Sequence, residues 1–207
     1  MNATDAALRW RWLSHLAWLA SHWVTGAGFM AAALLALAPA LAVALPGATF
    51  LVLLHSPAYM VHQVEEHAGD RFRRFVNGRL FGGRDGLSVA AVLVINLPLV
   101  WGLNLAAFYA ALVAGPAAGL VAPYAVLVNG AIHLAAALRL RAYNPGLVTA
   151  VLLFLPLGAL TLWHVGAAAG AAAHLAGLGL AVGLHAAIVL HIGRRLARLA
   201  RLGAPAA

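Results

Sequence analysis

Long apolar runs separated by short clusters of glycine, proline and arginine dominate this chain. Stretches of about 20 apolar residues, the length that crosses a bilayer as a helix, fall at roughly 24–45, 48–67, 87–113, 117–140, 146–166 and 171–193. Pro46-Gly47, Gly115-Pro116, Asn144-Pro145-Gly146 and the 166–170 segment punctuate them. Ahead of the first run, residues 5–22 mix Arg9 and Arg11 with tryptophan and histidine, which predicts an amphipathic or partly inserted N-terminal helix. One long helix over 12–45, broken near Pro39, is the alternative there. The pattern predicts an all-α polytopic membrane bundle of about six spans. It forms a single domain over 1–207, with an interfacial helix at 1–23, the bundle at 24–193 and an arginine-rich tail at 194–207.

Composition narrows the chemistry. The chain is 64% hydrophobic and 9% charged, with a mean hydropathy of +0.93, whereas soluble domains carry about 25% charged residues. The absence of cysteine excludes disulfides, thiolate metal sites and cysteine nucleophiles. All 13 basic residues are arginine, which excludes lysine Schiff-base chemistry. Two arginines precede the first run, five lie in 71–84, two in 139–141 and four in 194–201. With six spans these segments all fall on one side, and the positive-inside rule puts both termini and the 68–86 loop in the cytoplasm. The high pI is therefore read as topology, with membrane lipids and no nucleic acid as partners. The N-terminus lacks a compact basic region followed by a small-residue cleavage site, so no removed signal peptide is expected. Gly166-x-x-x-Gly170 and Gly179-x-x-x-Gly183 fit close helix packing or a face between two copies. Trp10, Trp12, Trp18 and Trp23 read as interface anchors.

The chemistry concentrates near the end of the second run. Three of the five acidic residues, Glu65, Glu66 and Asp70, lie within six positions, and His62 and His67 flank the glutamates. Ionisable groups at membrane depth are costly and by default mark function. On a helix, His62 lies three and four residues from Glu65 and Glu66, so all three share one face. At about 1.5 Å per residue, His62, Asn96, His133 and His185 reach similar depths on four different spans, with Asn129 one turn from His133. His191 points about 120° away from His185. His164 and His174 belong to the opposite surface. The expected cluster is His62, Glu65, Glu66, Asn96, Asn129, His133 and His185, a nitrogen–oxygen donor set suited to zinc, iron or manganese, as one ion or two. Tyr59 and His55 continue the stripe as a relay or as supporting donors.

The stretch from His62 to Trp101 resembles the HXXEE-domain membrane proteins. The core is His62-x-x-Glu65-Glu66, followed by Gly69-Asp70-Arg71-Phe72, Ile95-Asn96-Leu97-Pro98 and Val100-Trp101. Asn129-x-x-x-His133 and Tyr143-Asn144-Pro145-Gly146-Leu147-Val148-Thr149 extend the likeness. The resemblance implies a multi-span protein of the bacterial inner membrane and no particular activity.

Four uses of the cluster remain open from sequence. The first is a metal-dependent membrane enzyme, foremost a hydrolase of lipidic or amphiphilic substrates. Its metal ligands would be His62, Glu66 and His133, with His185 as a further ligand, Glu65 as ligand or general base, and Asn129 and Asn96 orienting. With a second metal the same groups suit oxidative chemistry. The second is a metal-free glutamate protease: Glu65-Glu66, Arg71, His133 and Asn129 resemble the CAAX-processing enzymes, although Arg71 stands one residue late and Asp70 takes its place. The third is a haem-binding or proton-coupled transport protein. The fourth assigns no chemistry, with Glu65 and Glu66 paired to Arg71 and Arg74 at the interface. The 68–86 loop is expected to cap the cytoplasmic mouth or to bind a phosphate head group.

Overall fold

A computed structural model describes residues 3–203, without the side chains of residues 3–14 and Leu16. The anchoring roles expected of the Trp10 and Trp12 side chains lie outside the described residues. Among those described there is no strand. The helices are α1 (Ala3–Ala44), α2 (Gly47–His67), the short α3 (Arg71–Phe75), α4 (Val89–Ala114), α5 (Val121–Leu140), α6 (Leu147–Ala168) and α7 (Ala171–Arg201). The N-terminal segment differs from the expectation of an interfacial helix followed by a span. Its backbone is one helix that runs through Pro39. The proline removes one backbone hydrogen bond and crowds the carbonyl of Leu35 one turn earlier, and the helix ends at Ala44.

Among the described residues five helices are long and apolar enough to cross a membrane: Ala17–Ala44 within α1, then α4, Pro116–Leu140, α6 and α7. The sequence pattern predicts six. The sixth, α2, is 21 residues long but carries His55, His62, Gln63, Glu65, Glu66 and His67, which lower its hydropathy. Its polar face is turned inward, since His55, His62, Gln63, Glu66 and His67 are all buried. The apolar helices are thus arranged around a polar one.

Small side chains bring the backbones close enough for this packing. Ala27 and Ala31 of α1 meet Met60 of α2. Val52 of α2 packs with Ala107 and Ala111 of α4 and with Ala122 of α5. Tyr59, Val100, Ala125, Val126, Phe154 and Ala181 join five helices in one cluster. Helix α7 starts against the start of α5, where a Cβ on Gly177 would come within 3.0 Å of Leu120 and Tyr124.

Two helices widen into π-helical turns near the polar face. In α4 the turn is Ile95–Trp101 and contains Pro98. Proline has no N–H and its ring crowds the preceding turn, and one extra residue per turn relieves both. Gln63 of α2 holds the turn in place: its Nε2 donates to Asn96 O at 3.2 Å and Asn96 Oδ1 at 3.0 Å, and its Oε1 accepts from Trp101 Nε1 at 2.8 Å. The second turn, Ala150–Phe154, follows Thr149 in α6.

The segment after α2 folds back across the end of the bundle. Asp85 accepts from Arg73 at 3.3 Å and from Arg195 of α7 at 2.8 Å. Buried Asn77 donates to Leu87 O and accepts from Leu87 N. The arginines of the 71–84 loop and of the α7 terminus therefore lie at one end of the molecule.

Candidate metal centre

His62 and Glu66 lie four residues apart on α2, so they project from one helix face. His133 arrives from α5. Glu66 sits between the imidazoles, with Oε2 3.6 Å from His62 Nε2 and Oε1 3.5 Å from His133 Nε2. One donor atom from each of the three buried residues lies within 4.8 Å of the others, in an arrangement that could hold a metal ion. Metal–nitrogen and metal–oxygen bonds of 2.0–2.2 Å at tetrahedral angles set donor atoms about 3.4 Å apart. The two separations, one to each oxygen of Glu66, lie near that spacing.

The distal nitrogens determine what the near ones present. Asn144 donates from Nδ2 to His133 O at 2.9 Å, which leaves its Oδ1 to accept from His133 Nδ1–H at 2.6 Å. Thr149 Oγ1 donates to Glu65 Oε2, so it accepts from His62 Nδ1–H at 2.8 Å. In their neutral form both imidazoles thus carry the proton on Nδ1 and turn Nε2 toward Glu66. Three such acceptors aimed at one point repel one another unless a proton or a metal cation stands between them. His62 Nε2 is buried with no hydrogen-bond partner, and ligating histidines generally have their other nitrogen bonded in this way.

Residues 144–149 supply this support. Gly146 has φ +97°, a conformation that favours glycine. A Cβ there would stand 2.7 Å from His133 Cε1 and 2.8 Å from His62 Cε1. The turn therefore lies flat against both rings.

Glu65, expected as ligand or base, is engaged elsewhere. Its carboxylate accepts from Val148 N at 3.1 Å, Thr149 N at 2.7 Å, Thr149 Oγ1 and Tyr143 OH at 2.8 Å, covering the free amides at the start of α6. Partial desolvation and donation to Glu65 raise the Tyr143 phenol above its ordinary pKa, which keeps it a donor. Glu65 thus reaches the cluster through Thr149 and His62. Replacing Thr149 with Val is expected to weaken metal binding by roughly 10–100-fold, the usual effect of removing such a partner. Thr149→Ser should retain it. Titration of purified protein with cobalt(II), followed by its visible absorbance, compares the two variants.

The remaining expected residues fall around the cluster. Asn129 and His185 line the adjoining cavity, but His185 Nδ1 bonds its own helix at Ala181 O, 2.8 Å away, and is not one of the three grouped donors. Asn96 lines the cavity and is held by Gln63 and by Val92 O. His55 Nδ1 bonds Leu51 O, and its Nε2 is buried without a partner. Arg71 donates to the carbonyls of Val64, Glu65 and Ala68 at the end of α2, and Arg74 donates to Gly69 O. Neither pairs with a glutamate, as an inert interface would require, and Arg71 does not complete a Glu-Glu-Arg constellation. Trp23 is buried against His67, with ring centroids 5.0 Å apart, and does not anchor at an interface.

Sequence reasoning missed four contributors: His67, Gln63, Asn144 and Thr149. His67 Nε2 lies 3.0 Å from Glu66 Oε2. Asn144, Gly146 and Thr149 were present as a motif, but their roles depend on a turn that brings the 144–149 segment against α2.

A cavity of about 250 Å³ adjoins the cluster. Glu66, His67, His133 and Asn144 form its polar side, and residues of α3, α4, α5 and α7 form apolar walls. No curated protein and no solved structure matches the chain. Residues 53–161, more than half of the chain and the part that supplies every donor of the cluster, match the family described as protein of unknown function with HXXEE motif, and the chain belongs to that family.

Proposed function

We propose that this protein is a metal-dependent membrane enzyme, foremost a hydrolase, that binds one zinc, iron or manganese ion through His62, Glu66 and His133. The observation that carries the reading is the convergence of two imidazole Nε2 atoms on one buried carboxylate, each imidazole locked from behind by its own partner. Bound there, the ion would lower the pKa of a coordinated water and polarise an acyl carbonyl. Glu66 and His133 also line the cavity, so a substrate entering it would meet the open coordination position. His62, with no exposed surface, serves only as a ligand. With the arginine-bearing end in the cytoplasm, the site would lie beneath the cytoplasmic leaflet of a bacterial inner membrane and take lipidic or amphiphilic substrates from it.

Two other uses fit less well. Glu66 stands in the gap between His62 and His133, whose ring centroids are 5.0 Å apart, which leaves no slot for a porphyrin between them. A glutamate protease would need Glu65 free, and four donors hold it. The His67–Glu66 hydrogen bond does favour a second reading, a metal-free proton-sharing cluster in a transport protein.

Elemental analysis and an absorbance spectrum of protein purified without chelators test the reading. The expected result is about one transition metal per chain with no Soret band. Hydrolysis of fluorogenic acyl esters or amides should be lost on chelation and restored by metal. Protein that is metal-free as isolated and takes up neither zinc nor cobalt overturns the proposal in favour of the proton-sharing cluster.

A further inference from the structure

The cavity beside the cluster has a shape and a chemistry that limit what can occupy it. It lies between α5 and α7, which run in the same direction and touch at their starts, where Gly177 meets Leu120 and Tyr124. Further along, Ile132 of α5 and Val189 of α7 line the cavity while remaining 48% and 65% exposed. The chamber is therefore open sideways between these two helices, on the apolar flank of the bundle. Phe72, Phe75 and Leu80 close it at the arginine-bearing end.

The volume sets the number of chains. Pockets that enclose drug-sized ligands run from about 300 to 1,000 Å³, and this one measures about 250 Å³. It accommodates one alkyl chain and a small head, and not the two chains of a phospholipid. The lining sets the charge. Among the described residues no arginine lines the cavity, and its polar side consists of histidines, carboxamides, a phenol and the Glu66 carboxylate. An anionic head placed there would meet Glu66 with no cationic side chain to neutralise it, so that only a metal ion bound at the cluster could offset the repulsion. Two atoms at the polar side also lack partners: Asn129 Oδ1 is buried without a donor, and so is Nδ1 of His67, a residue only 5% exposed. Buried polar atoms are almost always paired, and Asn129 Oδ1 can be satisfied only by a donor.

We infer that the site takes a single-chain lipid whose uncharged head carries a hydrogen-bond donor, a hydroxyl or an amide N–H, admitted from the membrane between α5 and α7. The inference rests on the proposed metal centre for its chemistry, but not for the binding itself.

The test uses full-length protein in lipid nanodiscs and diazirine-bearing probes: a C12 fatty alcohol, a C12 primary amide, the C12 fatty acid and a phosphatidylcholine. Labelling is measured with and without chelator, and metal content is measured on the same samples. The selectivity against the acid is read on the chelated protein, because a bound metal ion would itself attract a carboxylate. The alcohol and the amide should label peptides of α5 and α7 at least fivefold more than the acid or the phospholipid, with unlabelled alcohol competing. Val189→Trp should reduce labelling at least fivefold by filling the opening. Asn129→Leu, close in shape, should weaken the donor-headed probes about tenfold and leave a methyl-ether-headed analogue unchanged. Equal labelling by all four probes, equal labelling of both variants, or none in a protein carrying its metal overturns the inference. Selective labelling of a protein that binds no metal leaves the inference standing and removes the metal-enzyme reading instead.

Discussion

Gly146→Ala will lose both stability and metal binding. The new Cβ would stand 2.7 and 2.8 Å from the Cε1 atoms of the two ligating imidazoles, and φ +97° is a conformation that L-residues rarely hold. The backbone strain costs roughly 1–3 kcal/mol, and forcing a methyl into a packed interior costs roughly 1–3 kcal/mol more. The expected destabilisation is thus about 2–6 kcal/mol, read as a lowered melting temperature in detergent. Whatever fraction folds should bind cobalt(II) more than tenfold more weakly, because either the rings separate or the turn leaves them. An alanine variant that melts and binds metal as the wild type does would show that the turn does not set the ring positions.

The two adjacent glutamates should behave differently. Glu66→Gln replaces the only carboxylate between the imidazoles, and the metal should be lost outright, beyond the roughly 10–100-fold expected of an outer partner. Glu65→Gln puts an N–H₂ group where four donors converge. That change should cost about 0.5–2 kcal/mol, as the loss of a helix-capping acceptor does. It should weaken metal binding by roughly 10–100-fold through Thr149 and His62. Metal content and melting temperature of the two variants, measured side by side, give the comparison. The opposite ranking, with metal kept in Glu66→Gln and lost in Glu65→Gln, would reassign the ligand.

The core of the cluster was legible because helix geometry is periodic. The four-residue spacing put His62 and Glu66 on one face, and depth counted from the arginine-bearing side placed His133 level with them. Depth cannot report rotation about a helix axis, and His185 shows the limit: at the right height, it bonds its own backbone at Ala181. Glu65 shows another. Spacing placed it on the same face, but a carboxylate follows the nearest unsatisfied donors, here the first amides of a helix more than 80 residues later. His67 follows Glu66 directly and is turned about 100° round the helix from it, yet at the end of α2 it comes close enough to reach Glu66. The number of described helices apolar enough to cross a membrane falls one short of the six expected spans for a related reason. Hydropathy averages over a helix, and α2 concentrates the chain's polar residues on a face that its neighbours cover.

That arrangement bears on how the molecule is made. Thr149 follows His62 by 87 residues, which at ribosomal rates is a delay of roughly 4–17 s. When α2 first leaves the ribosome only α1, through Trp23, Ala27 and Ala31, is already there to shelter it; α4 and α5 follow before Thr149 is made. A helix with unmet polar groups is a poor lodger in hydrocarbon. Newly synthesised α2 therefore depends on its predecessor, or on the insertion machinery, until the sixth helix arrives to complete its surroundings.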